Sequence, residues 1–302
     1  MAGPDVKGAA AGGTAGLAVG ALLVNALVWG VSWWPFRELE RHGLHPLWAT
    51  AIIYTFSLAC LLLVRPGAFG ELLRHPSLWL LAVAAGLSNV GFNWAVTTGD
   101  VVRVVLLFYL MPAWVVLLAW PLLGERPGAG SLLRLALALG GLAIVLKTPD
   151  SPWPVPDSLA DWLALMGGFS FALTNILLRR LNQTPGAARI LAMFGGGMLM
   201  AAGVALTGTV MGLMAAPPAP GTAWLGLAGL VSLAFLLGNL ALQYGAARLQ
   251  ASTTSLVMAS EVVFASASSV LLGTSDLSGR MLLGASLVLL AVLLSAGASP
   301  AD

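Results

Sequence analysis

Amide side chains recur at four-residue intervals in two apolar stretches of the sequence. Asn89 and Asn93 lie in the first stretch, and Asn239 and Gln243 lie in the second. Since residues four apart project from one face of a helix, each pair predicts a polar stripe on an apolar helix. A carboxamide both donates and accepts hydrogen bonds, so these stripes could bind a polar ligand. The alternative is that they join neighbouring helices by hydrogen bonds.

Aromatic residues follow a similar spacing. Asn25, Trp29 and Trp33 share one helix face, and a ring beside an amide suits a planar ligand with a polar group. Three further aromatic residues in apolar stretches are candidates for the same site: Tyr109, Trp114 and Tyr244. For each ring taken singly, ordinary packing is the alternative, and tryptophan near the end of a membrane span also forms the interfacial belt.

Glu261 is the acidic residue that lies deepest in an apolar stretch. A charge at such a depth costs roughly 2.5–3.5 kcal/mol on insertion scales and by default indicates a functional site. Glu261 is therefore a candidate for proton coupling. The alternative is a neutral carboxyl that is bonded to Ser260 or to a neighbouring helix.

Asp100 and Arg103 stand three residues apart where a helix is predicted to begin. Asp100 suits a helix N-cap with Arg103 as its local partner. The alternative has Arg103 steering a substrate carboxylate at the outer mouth of a site.

The elements that must position these residues are membrane helices. Of the 302 residues, 59% are hydrophobic and 9% are charged, and the mean hydropathy is +0.92. A soluble domain has about 25% charged residues, so the composition indicates an all-α integral membrane protein. Ten transmembrane helices are predicted near residues 17–36, 47–64, 77–98, 101–123, 131–147, 159–178, in two spans between 189 and 248, and near 252–272 and 279–297.

The sequence contains one five-helix pattern twice, with an offset of 150 residues. The matched pairs include Asn89 with Asn239, Asn93 with Gln243, Trp94 with Tyr244, Met111 with Glu261, and Trp114 with Phe264. The predicted repeats are residues 1–150 and 151–302, divided at a link rich in proline and aspartate. Since five is odd, the second repeat must be inverted relative to the first. Inverted repeats place a substrate site between them, near the membrane midplane.

Basic residues predict the orientation of the chain. With the N-terminus in the cytoplasm, nine basic residues lie on the inner side and five on the outer side. Because positive charge is enriched on the cytoplasmic side of membrane proteins, both termini are predicted to be cytoplasmic.

The pattern resembles the drug/metabolite transporter superfamily and, within it, the EamA-like ten-helix exporters. The resemblance rests on the two inverted halves, on Asn25-Ala26-Leu27-Val28-Trp29-Gly30 in the first helix, on Phe171-Ala172 in the sixth, on Leu122-Leu123-Gly124-Glu125, and on a Glu-Pro pair divided between Pro112 and Glu261. Size and aromatic content are most similar to the bacterial aromatic amino-acid exporters. The resemblance implies a multi-pass protein of the bacterial inner membrane.

We therefore expect a secondary transporter that exports small zwitterionic metabolites, above all aromatic amino acids, by alternating access. The alternatives are a proton-coupled exporter of cationic drugs that uses Glu261, and a membrane scaffold that does not transport. No catalytic triad, metal-ligand cluster or nucleotide motif occurs in the sequence, so we expect no enzyme, metal, cofactor or nucleic-acid partner. The expected partners are a neutral amino acid and the lipid bilayer, and the expected state is a monomer or weak homodimer.

Overall fold

The computed structural model of the chain describes residues 6–99, 101–146, 156–273 and 278–296, and these residues form helices without any strand. The helices in chain order are α1 (Val6–Arg41), α2 (Pro46–Val64), α3 (Ala68–Arg74), α4 (Ser77–Thr98), α5 (Val101–Phe108), α6 (Met111–Leu123), α7 (Ala129–Leu146), α8 (Leu159–Arg180), α9 (Gly186–Val210), α10 (Thr222–Ala246), α11 (Ala251–Met258), α12 (Glu261–Leu271) and α13 (Gly279–Ala296). Asp100, the side chain of Arg103 and the predicted repeat boundary at residues 150 and 151 lie outside the described residues.

Ten apolar stretches of these helices correspond to the ten predicted spans. Seven are long and apolar enough to cross a membrane, and three shorter apolar helices lie at Met111–Leu123, Ala129–Ile144 and Gly279–Leu294. Among the described residues, α3 was not predicted, and its seven residues are too few to cross a bilayer. The prediction of an all-α membrane protein is confirmed.

The fourth and ninth spans are each broken near the middle, whereas continuous helices were predicted there. In the fourth span, Pro112 has no N–H for the carbonyl four residues earlier, so the helix stops at Phe108 and restarts at Met111. In the ninth span, Ser260 donates its hydroxyl to the carbonyl of Val257 (2.7 Å), and the chain makes a tight turn between α11 and α12. The prediction of unbroken helices was wrong at both places.

The two halves repeat each other closely. Adding 150 to the bounds of α5 gives those of α11, and adding 150 to the bounds of α7 gives those of α13. Packing between the halves is also reciprocal. Helix α1 packs on α10 and α12, and its counterpart α8 packs on α4 and α6, which are the counterparts of α10 and α12. Such reciprocity is expected of two inverted repeats that share one interface.

Candidate functional site

The breaks in the two spans meet between the halves of the protein. Tyr109 lies at the break between α5 and α6, and Glu261 begins α12 directly after the break that follows α11. The side chains of Tyr109 and Glu261 hydrogen-bond to each other. Because a phenol is the donor when it meets a carboxylate, Tyr109 donates this bond. One side-chain contact therefore joins the two breaks.

Glycines bring the helices around each break into direct backbone contact. A Cβ on Gly30 of α1 would lie 2.7 Å from the carbonyl oxygen of Glu261 and 2.7 Å from the Cβ of Phe264. A Cβ on Gly168 of α8 would lie 2.5 Å from the carbonyl oxygen of Phe108. The first helix of each half thus packs on the broken span of the other half, at a distance that only glycine permits.

Glu261 stands at the N-terminus of α12, and the residue is half-buried. The partial positive charge of a helix N-terminus favours a carboxylate there. Its predicted alternative partner, Ser260, donates to Val257 instead, so the Glu261 carboxyl has its bond with Tyr109.

The first amide stripe is bonded to helix α2. Asn89 accepts a hydrogen bond from the Tyr54 hydroxyl (2.7 Å) and donates to the carbonyl of Ala85 (2.8 Å). Asn93 donates to the Thr50 hydroxyl (2.8 Å). Both amides are partly accessible. These contacts agree with the role of joining helices.

The second amide stripe is bonded within itself. Gln243 donates to the side-chain oxygen of Asn239 (3.0 Å), and the Asn239 amide nitrogen lies 3.5 Å from the sulfur of Met193 on α9. Both side chains are buried. The two stripes therefore occupy matched positions in sequence but have different bonding partners, so a role in substrate binding stays a prediction for them.

An aromatic cluster extends from α1 across α10. Trp29 stacks on Phe235 with ring centroids 4.4 Å apart and an interplanar angle of 25°. Tyr54 meets the same Phe235 edge-on at 6.2 Å. Trp33 donates its ring N–H to the hydroxyl of Ser268 on α12 (2.9 Å). Sequence spacing predicted Trp29 and Trp33, whereas Phe235 was missed although it lies four residues before Asn239 on the same helix face.

The other two predicted aromatic residues lie apart from this cluster. Trp114 on α6 meets Phe169 of α8 edge-on at 5.8 Å. The Tyr244 ring near the end of α10 lies under the guanidinium of Arg248, 3.7 Å from its centroid. Tyr244 therefore has a local cation–π partner at the helix end.

A contact between the halves also lies at the end of the membrane helices that is predicted to face the cytoplasm. Glu125, at the end of the Leu-Leu-Gly-Glu motif, accepts from the backbone N–H of Ala251 (3.0 Å). Its carboxylate also lies 3.6 Å from the guanidinium of Arg179, which donates to the carbonyl of Ala247 (2.9 Å). Since the first N–H groups of a helix have no partner inside it, Glu125 supplies a cap for α11 from the opposite half.

Two buried amides have no hydrogen-bond partner among the described residues. Asn25 on α1 is 0% exposed and Asn175 on α8 is 1% exposed, and both the nitrogen and the oxygen of each amide are unpaired. A buried polar group without a partner costs about 1–3 kcal/mol. Asn25 was predicted as a site residue, and Asn175 was missed. The same offset of 150 that matches the amide stripes would have found it.

The model of the EamA-like transporter family matches two segments of the chain, residues 16–147 and 158–297. A solved crystal structure is similar with a TM-score of 0.74 over 92% of this chain and 95% of its own, at 17% sequence identity. At that identity the likeness shows the fold alone. No curated protein matches the chain.

Proposed function

Because the chain belongs to the EamA-like transporter family, we propose that it exports small zwitterionic metabolites, above all aromatic amino acids, by alternating access. Membership of the family makes the chain a multi-pass membrane transporter of small molecules. The observation that supports a site between the halves is the meeting of the two broken spans at Tyr109 and Glu261.

Broken membrane helices are a recurrent means of exposing backbone polar groups to a substrate in the middle of a bilayer. At the break in the fourth span, Pro112 has no N–H, so the carbonyl of Phe108 lacks its usual helical donor. At the other break, the N-terminus of α12 begins. In this state the Phe108 carbonyl packs on Gly168 of α8, so it would accept from a substrate ammonium only after α8 moves away from the break. The positive N-terminus of α12 would favour the substrate carboxylate.

The preference for a ring is inferred from the cluster beside the breaks. Trp29 and Phe235 form a stacked pair on α1 and α10, and α1 also contacts α12 through Gly30. Stacked and edge-on contacts between rings contribute about 0.5–1.5 kcal/mol beyond burial of area. A ring-bearing substrate that enters this cluster gains that contribution, whereas an aliphatic amino acid does not.

One observation favours a second candidate, a proton-coupled exporter of organic cations. Glu261 is half-buried, and within the described part of the chain its carboxyl bonds to one side chain, that of Tyr109 on the opposite half. A carboxylate in such a position could bind a cation or a proton in turn. This candidate requires an ionised Glu261 for binding, whereas export of a zwitterion does not.

We place the protein in a bacterial inner membrane with both termini in the cytoplasm, from the resemblance and from the distribution of basic residues. In this orientation the contact of Glu125 with Arg179 and Ala251 joins the two halves at their cytoplasmic end.

Direct binding tests this proposal and separates it from its rival. The purified protein is titrated in detergent with aromatic amino acids, aliphatic neutral amino acids and aromatic cations that have no carboxylate. The proposal predicts binding that is tightest for the aromatic amino acids and unchanged by Glu261→Gln. Preferential binding of the cations, with loss of that binding in Glu261→Gln, would support the rival.

A further inference from the structure

Asn25 and Asn175 are related to each other by the same offset of 150 that superposes the two halves. Both residues are buried. In each of them, neither the nitrogen nor the oxygen of the amide has a hydrogen-bond partner among the described residues. Chance would not be expected to leave the same unfavourable feature at equivalent positions of two diverged repeats.

The contrast with the other amides of the membrane helices is direct. Asn239 and Gln243 bond to each other, and Asn89 bonds to Tyr54 and Ala85. These side chains contribute to the packing of helices and have partners for that purpose. A residue whose only role was packing would be equally well served by leucine, which has nearly the same shape and no polar group to satisfy.

The surroundings of the two amides lie at the junction between the halves. The Asn25 amide nitrogen faces α10 at Gly238, where a Cβ would lie 3.2 Å from it. Helix α11 packs against both α1 and α8, which carry the two amides, and its Thr254 hydroxyl is likewise buried and unpaired among the described residues. On α6, which packs on α8, the ring N–H of Trp114 is also unpaired. Among the described residues, four of the six with unpaired buried polar atoms thus lie on α1, α6, α8 and α11, and the other two are Arg134 on α7 and Arg189 on α9.

We propose that Asn25 and Asn175 bind the charged groups of the zwitterionic substrate, one amide holding the carboxylate and the other the ammonium. The inference rests on the function proposed above and adds the residues that hold the polar end of the ligand. A carboxamide suits both tasks, since its NH₂ group donates to a carboxylate and its oxygen accepts from an ammonium. Because the amides are neutral, they remain in the membrane without the cost of a buried charge when no substrate is bound.

The test replaces each amide with leucine and measures stability and binding separately. Asn25→Leu and Asn175→Leu remove an unpaired polar group, so the proposal predicts that each raises the melting temperature of the substrate-free protein. Each variant should also bind an aromatic amino acid roughly 5- to 150-fold more weakly, the usual effect of leaving a polar substrate group unpaired. Asn239→Leu is the matched control, because its amide is bonded and its loss should lower the melting temperature.

Ligands that lack one charge assign the roles of the two amides. An aromatic amine without a carboxylate should bind the wild type weakly. The leucine variant that has lost the carboxylate-binding amide should bind this amine as well as the wild type does. An aromatic acid without an ammonium should show the same behaviour with the other variant. Asn25→Ala and Asn175→Ala repeat the measurement if a leucine variant fails to fold.

The proposal is overturned if the leucine and alanine variants bind the amino acid with wild-type affinity. It is also overturned if Asn25→Leu and Asn175→Leu lose as much stability as Asn239→Leu, since the amides would then have structural partners. If the wild type binds no amino acid, the proposed function fails, and the inference fails with it. Wild-type binding that is retained in every variant would overturn the inference alone.

Discussion

Tyr109 and Glu261 hydrogen-bond to each other across the interface between the two halves, and each lies at the break of a membrane span. Their positions do not correspond within the repeat, since Glu261 matches Met111 and Tyr109 matches Ala259. The contact is therefore asymmetric although the backbone around it is symmetric. The alternating access proposed above would move the two halves relative to each other, so the bond between these residues would respond to that motion.

Glu261→Gln should leave exchange of neutral amino acids largely intact. Glutamine retains an oxygen that accepts from Tyr109, and the sequence offers no second acid deep in a span as a proton relay. The measurement is the exchange rate in proteoliposomes, with Tyr109→Phe as the control that removes the same bond from the opposite side. Flux that loses its response to a proton gradient while exchange persists would make Glu261 a coupling residue instead.

Trp29→Ala should weaken binding of aromatic amino acids by roughly 2- to 12-fold and leave aliphatic amino acids nearly unaffected. The range converts the usual 0.5–1.5 kcal/mol of a ring contact. Trp34→Ala serves as the control, since Trp34 on the same helix is 47% exposed. An equal loss for both classes of substrate would show that Trp29 supports the packing of α1 and not the binding of a ring.

The carboxyl of Glu125 should affect stability in a pH-dependent way. Burial raises the pKa of Glu125 above its ordinary value, and the Ala251 amide and Arg179 oppose the shift only in part. When the pKa of a carboxyl is higher in the folded than in the unfolded state, the group stabilises the fold fully at a pH below its unfolded-state pKa, which is about 4.3 for glutamate. This stabilisation is lost as the pH rises through the folded-state pKa. Glu125→Gln, which still accepts from Ala251, should therefore gain melting temperature relative to wild type as the pH rises.

Melting curves of both proteins in detergent between about pH 4 and 7 measure this difference. Glu40→Gln removes a carboxyl at an exposed position and is the control. A Glu125→Gln variant that becomes less stable than wild type as the pH rises would mean that the ion pair with Arg179 outweighs burial.

Cysteine labelling tests the orientation. In a Cys60→Ala background, Gly221→Cys between α9 and α10 should react with an impermeant reagent added to intact cells. Gln183→Cys, in the exposed turn between α8 and α9, should react only after the membrane is opened. The reverse pattern would place both termini outside.

Much of this fold is predictable because hydropathy and the repeat act over long stretches of sequence. The break at Pro112 could also have been predicted from the missing N–H of proline, but the matching break at Ser260 has no proline. Asn175 could also have been predicted, because it lies 150 residues after Asn25. The Phe235 stack and the cap that Glu125 gives to α11 depend on which helices meet, and no local pattern encodes that.

Counterflow tests the central claim most directly. Proteoliposomes are loaded with an unlabelled aromatic amino acid, and entry of the labelled form is followed without any ion gradient. We expect rapid labelled entry that is strongest for aromatic amino acids, is unchanged by a protonophore and is slowed in the Asn25→Leu and Asn175→Leu variants. No counterflow of any amino acid, or flux that appears only with a proton gradient and an organic cation, would contradict the account.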